Sequence, residues 1–271
     1  MSAPARISSR KSSLLAHRLV LLAGFGFLYV PIILLIIFSF NESRLVTVWA
    51  GFSTRWYGAL FKNEQMLSSV WNSLVLALAS ASLATILGTL AAYGLARTPR
   101  FKGRMIFAAM IYAPLVMPEV ISGLALLLLF VALDLDRGLP TMIMAHASIG
   151  MCFVTVVVQP RFMAMDRSLI EAAMDLGATP LSTFFSITLP LAFPAIQSGF
   201  LLAMMLSLDD LVIASFTSGP GSTTLPMRIY SQVRLGVTPE VNAISALLIG
   251  VIAFALLAGA LLRRRTHAHA Q

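Results

Sequence analysis

The sequence predicts an all-α polytopic membrane protein with six transmembrane helices, and three observations predict it. Of the 271 residues, 58% are hydrophobic and 11% charged, against roughly 25% charged in a soluble domain. Apolar runs of about twenty residues, the length that carries a helix across a bilayer, alternate with short polar segments. The basic residues gather in those segments, the distribution that orients membrane proteins. The formal net charge of +8 therefore reads as topology and membrane lipid, not as a surface for nucleic acid. The single cysteine, Cys152, lies inside an apolar run, so the chain carries no disulfide framework and no Cys/His metal spacing.

The first predicted span covers residues 19–40, with Pro31 inside it as a kink. A basic tail, residues 1–18, precedes it with Arg6, Arg10, Lys11 and Arg18. The run exceeds the 7–15 residues of a signal-peptide core, so a retained span is expected. Residues 41–65 form a polar, aromatic loop. Its Trp49, Trp56 and Tyr57 suit either an interfacial belt or aromatic faces for a cation.

The second span, 66–96, repeats Ser80, Ala84, Gly88 and Ala92 at every fourth residue, beside Ala77, Ala81 and Thr85. Such stripes let backbones approach closely in lipid, either within this subunit or at a dimer seam. The third span, 105–133, contains Pro114, Pro118 and Glu119 and is expected to break mid-membrane. The fourth is 140–158, the fifth 195–216 and the sixth 241–262, with a short tail from residue 263.

Charge sets the expected orientation. With both termini inside, the inner segments hold Arg6, Arg10, Lys11, Arg18, Arg97, Arg100, Lys102, Arg104, Arg161, Arg167 and Arg263 to Arg265. The outer segments hold the remaining six of the 19 Lys and Arg.

Between the fourth and fifth spans lies DRSLIEAAMDLGATPLSTFFSITLP, residues 166–190. It reads as two short helices around a corner. Ser168 and Glu171 have capping-box spacing, Gly177 suits a left-handed C-terminal cap, and Thr179-Pro180 restarts a helix that Pro190 is expected to stop. The segment is either a plain connector or an amphipathic elbow held by a partner.

Three acids fall within apolar runs: Glu119, Asp209 and Asp210. Each costs roughly 2.5–3.5 kcal/mol at mid-helix on insertion scales, so they are candidates for a cation pathway, with helix capping as the alternative. Each of Glu119 and Asp209 stands about 21 Å into its predicted span at 1.5 Å per residue. Adjacent Asp209 and Asp210 point about 100° apart, so only one is expected to face a given cavity. No Lys or Arg lies inside a span, so no intrachain ion pair is expected at that depth. His17, His146, His267 and His269 are scattered and form no recognisable site. There is no phosphate-binding P-loop and no H-E-x-x-H zinc motif.

The elbow's Glu171-Ala172-Ala173, then Gly177, then Ile187-Thr188-Leu189-Pro190 resembles the EAA loop of ABC importer permeases. The likeness continues through LVTVWAGFSTRWYGAL, APLVMPEVISGLALLLLFVAL and SLDDLVIASFTSGPGSTTLP, nearly the whole of residues 19–262, and within the family it is similar to the permeases of polyamine, especially putrescine, importers. The resemblance implies a type I importer permease fold, with core spans two to six over 66–262 and a cytoplasmic coupling loop at 159–194. It implies that Glu171, Ala172, Ala173, Asp175, Gly177, Pro180, Leu189 and Pro190 couple to an ATPase, and that Glu119, Asp209, Asp210 and Trp49 line the substrate path. It further implies a sister permease as heterodimer partner, two ATP-binding subunits that carry the ATP-Mg, a periplasmic polyamine-binding protein, and an inner-membrane location. The chain would then be no enzyme and hold no cofactor. Relatives carry Asp where this chain has Glu119. The rival readings are an importer of another small cationic or neutral substrate, an ion-driven carrier using the same acids, and an intramembrane protease pairing Glu119 with Asp209.

Overall fold

The computed structural model describes residues 6–45, 48–98, 101–236 and 238–268. Arg100 and His269 lie outside the described residues, as do residues 1–5 of the expected basic tail. Among the described residues all regular structure is helical, apart from one isolated bridge between Asn41 and Phe52. The chain divides into two compact units, residues 1–64 with 231–271, and residues 65–230.

The first unit holds α1 (Arg6–Ser39), α2 (Arg55–Leu60) and α12 (Pro239–Ala268), and α12 packs along both of the others. The helix α1 starts at Arg6, well before the expected residue 19, and runs through Pro31. The predicted aromatic loop is built around Asn41. Its carboxamide oxygen accepts from the Ala50 and Ser43 N–H groups at 2.9 and 3.2 Å, and its amide donates to the Val48 carbonyl at 2.7 Å. The Asn41 carbonyl accepts from the Trp56 indole N–H at 2.7 Å. Phe40 packs on Phe52 and Tyr57, with ring centroids 5.4 and 5.2 Å apart. At the start of α12, Glu240 accepts from the Asn63 amide at 2.9 Å. The last helix packs with α1 and α2 in this unit.

The second unit begins with α3 (Glu64–Arg97), followed by α4 (Arg104–Val116), α5 (Glu119–Ala132) and α6 (Leu139–Met163). It continues with α7 (Arg167–Asp175), α8 (Pro180–Thr183), a π turn at Phe184–Thr188, α9 (Leu189–Asp209), α10 (Val212–Thr217) and α11 (Leu225–Leu235), whose last turn crosses the unit boundary. Helix α6 packs chiefly against α9. The small-residue stripe of α3 is spent inside this unit. Ser80, Ala84, Gly88 and Ala92 are all buried, and Gly150 of α6 sits against Ala84. A Cβ placed on Gly88 would lie 2.7 Å from the Met151 carbonyl oxygen and 2.7 Å from the Val154 Cβ. The Met151 backbone cannot swing aside as a flexible side chain would. Gly88→Ala is therefore expected to destabilise the α3–α6 seam by about 1–3 kcal/mol, the usual cost of overpacking. Thermal unfolding in detergent would read this as a lowered midpoint.

Among the described residues, four helices are long and apolar enough to cross a membrane: residues 17–39, 64–97, 139–163 and 180–209. The pair α4 and α5 also passes jointly but is bent by 119°. The described apolar part of α12, Pro239–Phe254, is shorter. The predicted third span is thus broken, as its prolines required. Pro118 lacks an N–H and disfavours a helical conformation at Met117, which is extended at φ −76°, ψ 139°.

The fifth predicted span is shifted. Its helix begins at Leu189 and ends at Asp209, and α10 follows a break at Asp210 and Leu211. Pro190 does not stop a helix; it stands in the first turn of α9, where a missing N–H costs nothing. The π turn carries the chain into that start, with the Leu189 N–H donating to the Phe184 carbonyl.

Candidate functional site

The two helix breaks meet. A cavity of about 360 Å³ opens between them, lined by α4, α5, α6, α9 and α10. Glu119, Asp209 and Asp210 all line it. The expectation that only one of the two adjacent aspartates would face a cavity fails, because the chain leaves the helix between them. Asp209 is the last residue of α9, while Asp210 is extended at φ −67°, ψ 128°.

The three acids are not equivalent. Glu119 and Asp209 are exposed to the cavity. Asp210 has a side chain only 10% exposed, and it is occupied. Its carboxylate accepts from the Ile213 and Ala214 N–H groups at 3.3 and 2.7 Å, which satisfies the open start of α10. The capping alternative thus holds for Asp210. One of its oxygens also stands 3.4 Å from Nε2 of His146. No Lys or Arg lines the cavity, as expected; the neighbouring group is this histidine, which carries no sequence pattern of its own.

Backbone polarity at the cavity is mixed, since two helices end there and two, α5 and α10, begin there. Helices α4 and α9 both end at the cavity, where Leu115, Leu206 and Ser207 are among its lining residues. A helix C-terminus carries unsatisfied carbonyls and the equivalent of roughly half a negative charge. The starts of α5 and α10 offset those two ends, so it is the carboxylates, with Asp210 already engaged by the α10 start, that make the cavity suit an ammonium group better than an anion.

Trp49 lies in the other compact unit, packed edge-on against Phe38 at 6.0 Å, and is not among the lining residues. The face of Trp56 is covered by the Arg55 guanidinium, 4.3 Å from the ring centroid.

The elbow is a second surface. Its first helix, α7, buries no residue. Its N-cap is Asp166, not Ser168: the Asp166 carboxylate accepts from the Ser168 N–H at 3.0 Å. That backbone hydrogen bond holds the Asp166 carboxyl below its usual range, so its capping contribution is present at neutral pH and is lost as pH falls through the lowered value. Gly177 adopts φ +84°. The Ala178 N–H reaches back to the Ala173 carbonyl at 3.0 Å and the Gly177 N–H to Met174 at 2.9 Å, a Schellman closure. Thr179 caps α8 by accepting from the Ser182 N–H at 3.2 Å. Glu171, Ala172, Asp175, Gly177, Pro180 and Pro190 are exposed, Ala173 and Leu189 half-buried. Leu176, Leu181 and Phe185 present apolar surface around them. Phe184 turns inward instead, against Tyr93 at 4.9 Å.

Residues 84–267 match the family model described as "Binding-protein-dependent transport system inner membrane component". The chain is 58% identical over 239 residues to the putrescine transport system permease protein PotI of Escherichia coli K12, covering 86% of this chain and 85% of that protein. It is 39% identical over 242 residues to the spermidine/putrescine transport system permease protein PotC of the same strain, covering 89% and 91%. Its fold is similar to that of a chain in the crystal structure of a bacterial ABC transporter involved in alginate import, with a TM-score of 0.74 at 18% identity over 97% of this chain and 99% of that one. A methionine ABC transporter chain gives 0.59 at 18% identity over 73% and 93%.

Proposed function

The chain belongs to the family of binding-protein-dependent transport system inner membrane components, and from that premise we propose that it is the pore-forming permease subunit of an ATP-driven importer of polyamines, with putrescine as cargo. The observation that carries the reading is the 58% identity, over most of both chains, to a putrescine permease. The acidic cavity gives that cargo a chemical reason, since a diamine at neutral pH is a dication. The chain is not itself an enzyme, and family membership sets aside the carrier and protease readings.

In this account ATP is hydrolysed by a separate pair of subunits that carry the ATP-Mg, and a periplasmic binding protein delivers the polyamine. A sister permease completes the pore. The chain crosses the inner membrane six times, counting the bent α4–α5 pair as one span and α12 as the sixth, with both termini in the cytoplasm. Residues 1–18 and 263–271 face the cytoplasm, spans two to six form the permease core, and the elbow within 159–194 is the coupling segment. There Glu171, Ala172, Ala173, Asp175, Gly177 and Pro180 shape the docking surface, and Leu189 and Pro190 join it to α9. Glu119 and Asp209 compensate the ammonium charges during passage. Trp49 acts at the outer entrance.

Extraction of the tagged chain from its host in mild detergent tests the assembly. An ATPase and a second permease are expected to copurify. A lone chain, in a detergent that keeps a known importer intact, would contradict the reading.

A further inference from the structure

Helix α3 is 34 residues long, about 51 Å at 1.5 Å per residue, and a hydrocarbon core is about 30 Å thick. Glu64 and Arg97 stand at its two ends, with no Asp, Glu, Lys or Arg between them. Arg97 is therefore placed at the membrane surface. The first residue of α4, Arg104, folds back to the same end, where its Nη2 donates to the Leu95 carbonyl at 3.1 Å. Both arginines are half-buried. Nε and Nη2 of Arg97 and Nε of Arg104 are enclosed without an acceptor, and neither guanidinium forms an ion pair among the described residues. Enclosed N–H groups of a cation that find no acceptor are costly, and they call for one from outside the chain.

Backbone dipoles do not supply the counter-charge. The end of α3 offers the equivalent of roughly half a negative charge, and the start of α4 cancels it with roughly half a positive one. That start has no side-chain cap and no acid in its first turn. Lys102, exposed between the two helices, adds a third cation. Apolar surface adjoins these charges. Met105 is 87% exposed and Ile106 68%, beside Phe101 and Phe107, which pack edge-on at 6.1 Å. Water alone would hydrate the cations but leave this apolar surface wet. A molecule with an anionic head and hydrocarbon chains suits both.

We infer that the turn between α3 and α4 is a binding site for the phosphate headgroup of an anionic phospholipid. Arg97 and Arg104 supply the planar donor forks that match phosphate oxygens. Their long stems let the enclosed N–H groups swing to a phosphate without moving either helix. Lys102 adds charge at the rim, and Met105 and Ile106 lie along the acyl chains. The inference needs only that the chain lies in a membrane, and it holds whatever the importer carries.

The test uses the complete importer, stripped of lipid in detergent and offered phosphatidylglycerol, phosphatidylcholine or inorganic phosphate. Native mass spectrometry reads the lipid retained, and thermal unfolding reads stabilisation. The wild type is expected to retain at least threefold more phosphatidylglycerol than phosphatidylcholine, and to unfold at a higher temperature with it. Arg97→Gln with Lys102→Gln leaves the Arg104 bond to Leu95 in place and is expected to abolish that preference. Arg137→Gln, at an exposed cation between α5 and α6, is expected to keep it. A photoreactive phosphatidylglycerol is expected to label the wild-type peptide that carries Met105 and Ile106. Equal retention of the two lipids, an unchanged preference in the double variant, or labelling only elsewhere overturns the inference. Inorganic phosphate that stabilises as well as phosphatidylglycerol assigns the site to a free anion and overturns the lipid headgroup. A double variant that keeps the preference but loses a copurifying subunit assigns the arginines to a protein contact and overturns it too. Should the double variant fail to assemble, the labelling of the wild type decides alone. Putrescine uptake enters no arm, so each outcome leaves the polyamine reading where it stands.

Discussion

Replacing Glu119 with Gln and Asp209 with Asn together is expected to slow polyamine uptake by roughly tenfold to a hundredfold, at 1.4 kcal/mol for each factor of ten. These are the two cavity acids exposed to the cavity, with no hydrogen bond or ion pair among the described residues. The amides keep a carbonyl oxygen but lose the negative charge that meets an ammonium group, and neither change strips a cap or a buried partner. Insertion is expected to proceed at least as well as in the wild type, since a carboxylate at the middle of a span costs roughly 2.5–3.5 kcal/mol to insert. A transport defect at normal membrane abundance thus separates a role in the path from a role in folding. Asp210→Asn gives no such separation, because Asp210 holds the start of α10. Uptake by the double variant at the wild-type rate would remove Glu119 and Asp209 from the path.

Substitution at Gly177 is expected to uncouple the transporter. Its φ of +84° lies where an ordinary L-residue pays roughly 1–2 kcal/mol, and a β-branched residue pays more. No atom lies within 4 Å of a Cβ placed there, so the penalty is backbone strain and not a clash. Gly177→Val opens the Schellman closure and turns α8 away from α7. Gly177→Asp fits the left-handed region better but sets a carboxylate on the exposed corner. Both variants are expected to insert normally and to lose most uptake together with the ATPase stimulation that loaded binding protein produces. Gly177→Asn, which tolerates the backbone and adds no charge, is expected to stay close to wild type. Normal transport by both the Val and Asp variants would contradict the assignment of this elbow as the coupling segment.

Features governed by local backbone rules were legible in the sequence. The break before Glu119 follows from Pro118 in an apolar run, and the corner at Gly177 and the cap at Thr179 follow from residues that have few other uses in such positions. Where two rules competed, the local pattern misled. Ser168 and Asp166 are both competent caps two residues apart, and the carboxylate took the place. Pro190 reads equally as a stop or a first-turn residue, and the π turn before it settled the phase. Features set by tertiary proximity had no local signal. His146 meets Ser207 across 61 residues of sequence, and a lone histidine in an apolar run announces neither partner. The grouping of α12 with α1 was hidden for the same reason, since an apolar run shows that a helix is buried but not in which company.

The central claim is that this chain passes a polyamine when an ATPase drives it. The most direct measurement is uptake of labelled putrescine into vesicles holding the purified complete importer, with the binding protein outside and ATP-Mg sealed inside. The account predicts accumulation that requires ATP and the binding protein and that unlabelled putrescine competes away while an anionic substrate does not. Accumulation without ATP, or none with every component present and the ATPase turning over, would contradict it.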